Sequence, residues 1–256
     1  MRFLISICTA ILLSQTAWGQ GCTDDCQTNF QHGEVLEYEL VYHWGFIKTR
    51  AGRVTFSVSD TLVDGTSYTC YKGDGHSLPN WDWFFHVNSS YLSFTDTNLY
   101  PVYFSRKGVE GPDTYDREYH IIGNQAFLTK KDEEGEITQQ LLRLEPCSFD
   151  VISAIYYCRS IDFTKLDVNS ILPLNLFLDA ETHESYVRFI GYADWKDPRT
   201  DKVHSCIVFK PWLIDGTVFS AGENMTVYVS NTPDRIPLYI ETDLVIGQAE
   251  VYLLDD

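Results

Sequence analysis

Hydrophobic and polar residues alternate through most of this chain. Leu36, Tyr38, Leu40 and Tyr42 fall on one face of an extended segment, with Glu37, Glu39 and Val41 on the other. Val54, Phe56 and Val58 alternate with Thr55, Ser57 and Ser59, and the same period returns at Met225, Val227, Val229 and at Ala249, Val251, Leu253. A period of two marks strands that bury one side. Turn-forming pairs such as Asp64-Gly65, Gly111-Pro112, Gly123-Asn124 and Asp215-Gly216 punctuate these runs. The pattern predicts roughly a dozen antiparallel strands. The charged run from Lys130 to Glu136 reads as a solvated hairpin tip.

One stretch breaks the period. Val151, Ile152, Ala154, Ile155, Tyr156 and Tyr157 make the apolar face of a helix. Asp150 suits its N-terminal turn, where a carboxylate accepts backbone N–H groups and meets the positive dipole end. Arg159 suits the other end, and an ion pair to a strand is an alternative for it. A lone capped helix among antiparallel strands points to one packed against, or plugging, a curved sheet. The predicted class is mainly β: an antiparallel single domain, a curved sheet with one major helix. Its two halves join through residues 145–165.

The N-terminus changes the picture of where the chain works. Met1-Arg2 precedes an apolar run from Phe3 to Leu13, followed by Ala17-Trp18-Gly19. This reads as a secretory signal over residues 1–19, with a lead segment over 20–32 and the β domain over 33–256. A periplasmic or outer-membrane-facing location is the expectation. The alternative of a lipid anchor at Cys22 fits less well, because no aliphatic residue stands three places before the cysteine. No later run is long and apolar enough to cross a membrane as a helix.

The net charge of −17 disfavours nucleic acid and anionic headgroups as partners. Outside the cytoplasm, cysteines can oxidise. Cys22 and Cys26 are close enough to pair locally, and Cys70 and Cys206 are further candidates. The scattered histidines and the absence of a Cys-x-x-Cys spacing give no metal site, and no cofactor motif is present.

Several landmarks carry a resemblance. They are Gly33-Glu34-x-Leu36-x-Tyr38, Tyr42-x-Trp44-Gly45-Phe46, Pro101-x-x-Phe104-x-Arg106, Asp150-x-x-Ser153-Ala154-x-Tyr156-x-x-Arg159, Pro237-Leu238 and Gly247. In order and spacing the chain resembles the exported bacterial family called domain of unknown function 3108 (DUF3108). The resemblance implies an incompletely closed β-barrel with a helix against it, similar to periplasmic carriers. It brings no catalytic residues.

The richest candidate segment is His76 to Asn88. Trp81, Trp83, Phe85 and His86, with Trp44, are expected at the mouth of a concave ligand site, since tryptophan faces stack on sugars and apolar ligands. The plain alternative is a set of aromatics capping the barrel's end. Arg106 to His120 reads as a charged loop whose carboxylates could serve glycoside hydrolysis. Asp60-Thr61-Leu62 fits a short O-glycosylation pattern at Thr61. The leading expectation is a non-catalytic envelope protein. It would bind a lipid, glycolipid or other amphipathic component, or a partner protein, on a concave β face. The alternatives are a subunit of an outer-membrane assembly and an enzyme acting on envelope polysaccharide.

Overall fold

The computed structural model describes residues 30–215 and 219–254. The predicted signal over 1–19 and the lead segment as far as residue 29, with Cys22 and Cys26, lie outside the described residues. Among the described residues fifteen strands form one sheet. In chain order they are β1 Val35–Trp44, β2 Ile47–Val63, β3 Thr66–Ser77, β4 Val87–Thr95, β5 Pro101–Glu110, β6 Asp113–Ile122, β7 Gln125–Lys131, β8 Ile137–Arg143, β9 Ser148–Phe149, β10 Ile171–Leu178, β11 Glu181–Lys196, β12 Val203–Pro211, β13 Met225–Ser230, β14 Pro237–Asp243 and β15 Gln248–Leu253. Helix α1, Val151–Ser160, and a short 3₁₀ turn, Phe163–Lys165, lie between β9 and β10.

The spatial order runs from β8 down to β1, then β15 down to β9. The first and last long strands therefore pair at the centre, with Tyr38 opposite Leu253 and Tyr42 opposite Ala249. Two arms extend from this seam, and their free edges are β8 and β9. All neighbours are antiparallel except the β9–β10 pair. The two edge strands are consecutive in sequence, so the sheet rolls until its ends approach. Side chains bridge the gap: Gln140 Nε2 donates to the Ala180 carbonyl at 3.2 Å, and Arg106 Nη1 reaches Asp179 at 2.9 Å. Among the described residues no ladder joins β8 to β9 or β10, so the barrel stays open, as the family resemblance implies.

The interior is filled by the chain itself. No residue of α1 is exposed. Ile152 and Tyr156 enter one apolar cluster with Tyr71, Phe104, Tyr119 and Leu128 of the first arm. One step round the helix, Tyr157 and Ile161 enter a second cluster with Val187, Phe189, Phe209 and Val229 of the second arm. With protein on every side and its serine and arginine side chains bonded internally, the helix plugs the rolled sheet. Strand β10 shares the task, with Leu174 in the second cluster and Phe177 in the first.

Both helix ends are tied. Asp150 is fully buried. Its Oδ1 accepts from the Ile152 and Ser153 amides at 2.8 and 2.9 Å, and its Oδ2 from the Ser93 and Ser153 hydroxyls at 2.7 and 2.8 Å. Burial pushes its carboxyl upward, against those four hydrogen bonds. At the other end Arg159, in the last turn, makes the buried ion pair that is the alternative for it: its guanidinium grips Glu34 through two bonds of 2.6 and 2.8 Å. The last carbonyls, of Arg159 and Ile161, are taken by Arg235 from the β13–β14 loop.

Candidate functional site

Three chain reversals meet at one end of the sheet. The β1–β2 tip carries Trp44, Gly45, Phe46 and Ile47, and the β14–β15 tip carries Leu244 to Gly247. The β3–β4 connection runs from Leu78 to His86. Buried Tyr42 sits beneath all three. Its ring packs on Trp81 at 4.7 Å and near Phe84 at 6.2 Å, and its hydroxyl donates to the Ile246 carbonyl at 2.9 Å. Gly247 makes this approach feasible: its φ is +78°, and a Cβ there would collide with the His43 carbonyl.

The tips present apolar surface to solvent. Phe46 is 100% exposed and Trp83 82% exposed. Trp44, Ile47, Phe84, Val245 and Ile246 are also exposed. Of the five residues expected at a ligand mouth, Trp44 and Trp83 lie on this cap. Trp81 is half-buried between Tyr42 and Phe84. Phe85 turns the other way and covers Gly111 at the β5–β6 turn, leaving no room there for a side chain. The structure thus places Trp44 and Trp83 on the tips, while the concave interior is occupied by α1. Val245 and Ile246 escaped sequence reading because the β14–β15 tip is some 200 residues from Trp44 and only the β1–β15 pairing brings it near.

His86 and Asp82 do meet, at 3.2 Å. Ser77 donates its hydroxyl to the same Asp82 oxygen and receives the Val87 amide at 2.8 Å. Bonds from Ser77 and then His86 hold Asp82 below the ordinary carboxylate range. A nucleophilic serine needs a base at its own hydroxyl. Here the base at that hydroxyl is a carboxylate held below its ordinary range, and so a weak one, and the trio clamps the connection.

The predicted charged loop from Arg106 to His120 is a correction. It is the β5–β6 hairpin, and its charges are spent on one another. Arg106 is buried, pairs Glu110 at 2.8 Å and lies 3.4 Å over the Tyr115 ring. Lys107 pairs Glu118 at 2.6 Å and Asp116 at 3.5 Å. Thr61 stands half-buried within β2. Cys70 and Cys206 lie in different arms and carry free thiols, so neither is in the expected disulfide. Burial pushes the Cys206 thiol up to about 11, which leaves it unreactive.

A polar depression of about 320 Å³ opens on the outer face of β13 to β15, lined by His43, Lys210, Glu223, Tyr239, Glu241 and Glu250. Glu241 and Glu250 stand directly opposite on β14 and β15. Glu250 is already saturated: Oε2 receives His43 at 2.6 Å, Lys48 at 3.0 Å and Tyr252 at 2.9 Å, and Oε1 receives Tyr239 at 3.2 Å. That suits an anchor holding the first hairpin to the last strand. Burial raises this carboxyl, but the bonds from Lys48, Tyr252 and His43 outweigh it and hold the value at about 2. A folded value below the ordinary 4.5 means the contribution is complete above about pH 4.5 and lost as pH falls toward 2. Chemical denaturation is expected to show stability falling across that window, with a shallower fall in Glu250→Gln. An unchanged acid limb in that variant would dismiss the anchor. Among the described residues no cluster of His, Cys, Asp or Glu could hold a metal ion, and no helix is long and apolar enough to cross a membrane.

A rolled antiparallel sheet plugged by its own helix defines a class of open, β-barrel-like proteins. A crystal structure of a β-barrel-like protein of domain of unknown function DUF1849 from Brucella abortus superimposes with a TM-score of 0.55 at 9% identity, covering 86% of this chain and 95% of that one. At such identity the likeness concerns the fold alone. The sequence matches the family described as "Protein of unknown function (DUF3108)" over residues 37–254, and the chain belongs to that family. No protein of curated function matches it.

Proposed function

We propose that this chain is a non-catalytic, exported envelope protein that binds an apolar or amphipathic envelope component, or a partner protein, through the aromatic cap. One observation carries the reading: the tips expose Trp44, Phe46, Trp83, Phe84, Val245 and Ile246 together, while the concave face is packed with the chain's own helix. Contiguous exposed apolar surface at one place on a soluble fold marks a binding site. The carboxylates of β5 and β6 are held in ion pairs, which speaks for binding over hydrolysis. Native mass spectrometry with organic extraction, on protein purified from its own host, tests the proposal. A bound component is expected, and Trp83→Ala with Phe46→Ala should release it. A component retained by that double variant would move the site to the interior.

A second reading, as an assembly subunit, draws on one feature. Strand β8 is an open edge whose first five residues are exposed, paired in unbroken register with β7 only, and free of proline. Such an edge accepts a partner's strand. A polypeptide that co-purifies with the wild type and is lost in Leu141→Lys would favour it.

A further inference from the structure

We propose that the cap's ligand is the bilayer itself: the three tips insert side by side into the interface of a zwitterionic phospholipid membrane. This rests on the cap reading above and names its target.

Charge is the first argument. The chain carries −17 overall, yet the two hairpin tips, 44–47 and 244–247, hold no charged residue. The 78–85 segment holds only Asp82, which is bonded to Ser77 and His86. An uncharged apolar surface matches the interface of an uncharged bilayer, whereas the acidic remainder is repelled by anionic headgroups. Side-chain type is the second. The opposite end of the sheet also exposes apolar residues, Leu62, Val63, Ile122 and Val203. Those are all aliphatic. The cap instead presents tryptophan and phenylalanine, whose flat rings settle at the lipid–water boundary. Shape is the third. The tips protrude as separate reversals around Tyr42, so a soft surface can envelop each one, whereas a folded partner would need a matching recess for all three.

Co-sedimentation with phosphatidylcholine vesicles, and with vesicles containing phosphatidylglycerol, tests the assignment. Every variant keeps the same N-terminus, so any contribution of residues 3–13 cancels. The wild type is expected to bind phosphatidylcholine vesicles with a blue shift of tryptophan emission, and more weakly as the anionic fraction rises. Phe46→Asp and Trp83→Asp are each expected to weaken partition by about tenfold or more, since each removes a large apolar side chain from the interface. Ile122→Asp, at the far end, should leave it unchanged. Circular dichroism checks that the exposed substitutions keep the fold. Binding confined to anionic vesicles would overturn the bilayer assignment. So would absence of vesicle binding while cap variants still lose the host-derived component, which leaves the cap reading intact. Vesicle binding indifferent to both cap substitutions would overturn the two together.

Discussion

Arg159→Met is expected to destabilise the protein by about 3–5 kcal/mol, the range for breaking one half of a buried ion pair. The Arg159 side chain is 2% exposed and its partner Glu34 12% exposed. Its guanidinium also donates to the Asp234 carbonyl at 3.0 Å and lies over Tyr156 and Phe30. Methionine keeps much of the stem packing but leaves the Glu34 carboxylate and that carbonyl without their donor. The denaturation midpoint in urea measures the loss. Adding Glu34→Gln should recover part of it, because the stranded charge is removed. A single variant within about 0.5 kcal/mol of wild type, the size of an ordinary surface change, would show that the pair does not hold the helix to the seam.

Phe177→Ala is expected to cost about 3–5 kcal/mol as a large-to-small change in a packed core. The residue lies on β10 of the second arm, yet it packs on Phe104 at 6.1 Å and Tyr119 at 5.5 Å, both in the first. It is fully buried. A cavity there should loosen the closure of the rolled sheet as well as weaken the core. Faster amide exchange is therefore expected at both β6 and β10, with β13 less affected. Exchange raised in β10 alone would mean that the arms are held together elsewhere, and Arg106–Asp179 would be the next contact to break.

Much of the fold is legible in the sequence because strand and helix periods are local. Alternation at 36–42 and 54–58 marks two neighbouring strands, and Val151 to Ser160 forms the helix capped by Asp150. Parts of the site are legible for the same reason: Trp81, Trp83 and His86 lie within one short segment. What misleads is a segment whose local pattern is ambiguous. Arg106 to His120 looks like a mobile charged loop, but cross-strand pairing turns it into a hairpin whose charges neutralise one another. Val41 reads as part of a solvent face, yet it is buried with Tyr239 and Tyr252 on the outer side of the sheet.

By itself the sequence determined the antiparallel class, the single capped helix and the DUF3108 membership, since each depends on spacing along the chain. Only the tertiary structure decided that the first and last strands meet. That pairing sets Trp44 and Phe46 beside Val245 and Ile246, and joins His43 to Glu250. It alone decided that the helix fills the concave face, because burial on both sides of α1 depends on two arms far apart in sequence. The proposed binding surface consequently lies at the tip of the barrel and not inside it. Alternation tells a strand which side is apolar; only the rolling of the sheet decides whether that side meets a ligand or the protein's own core.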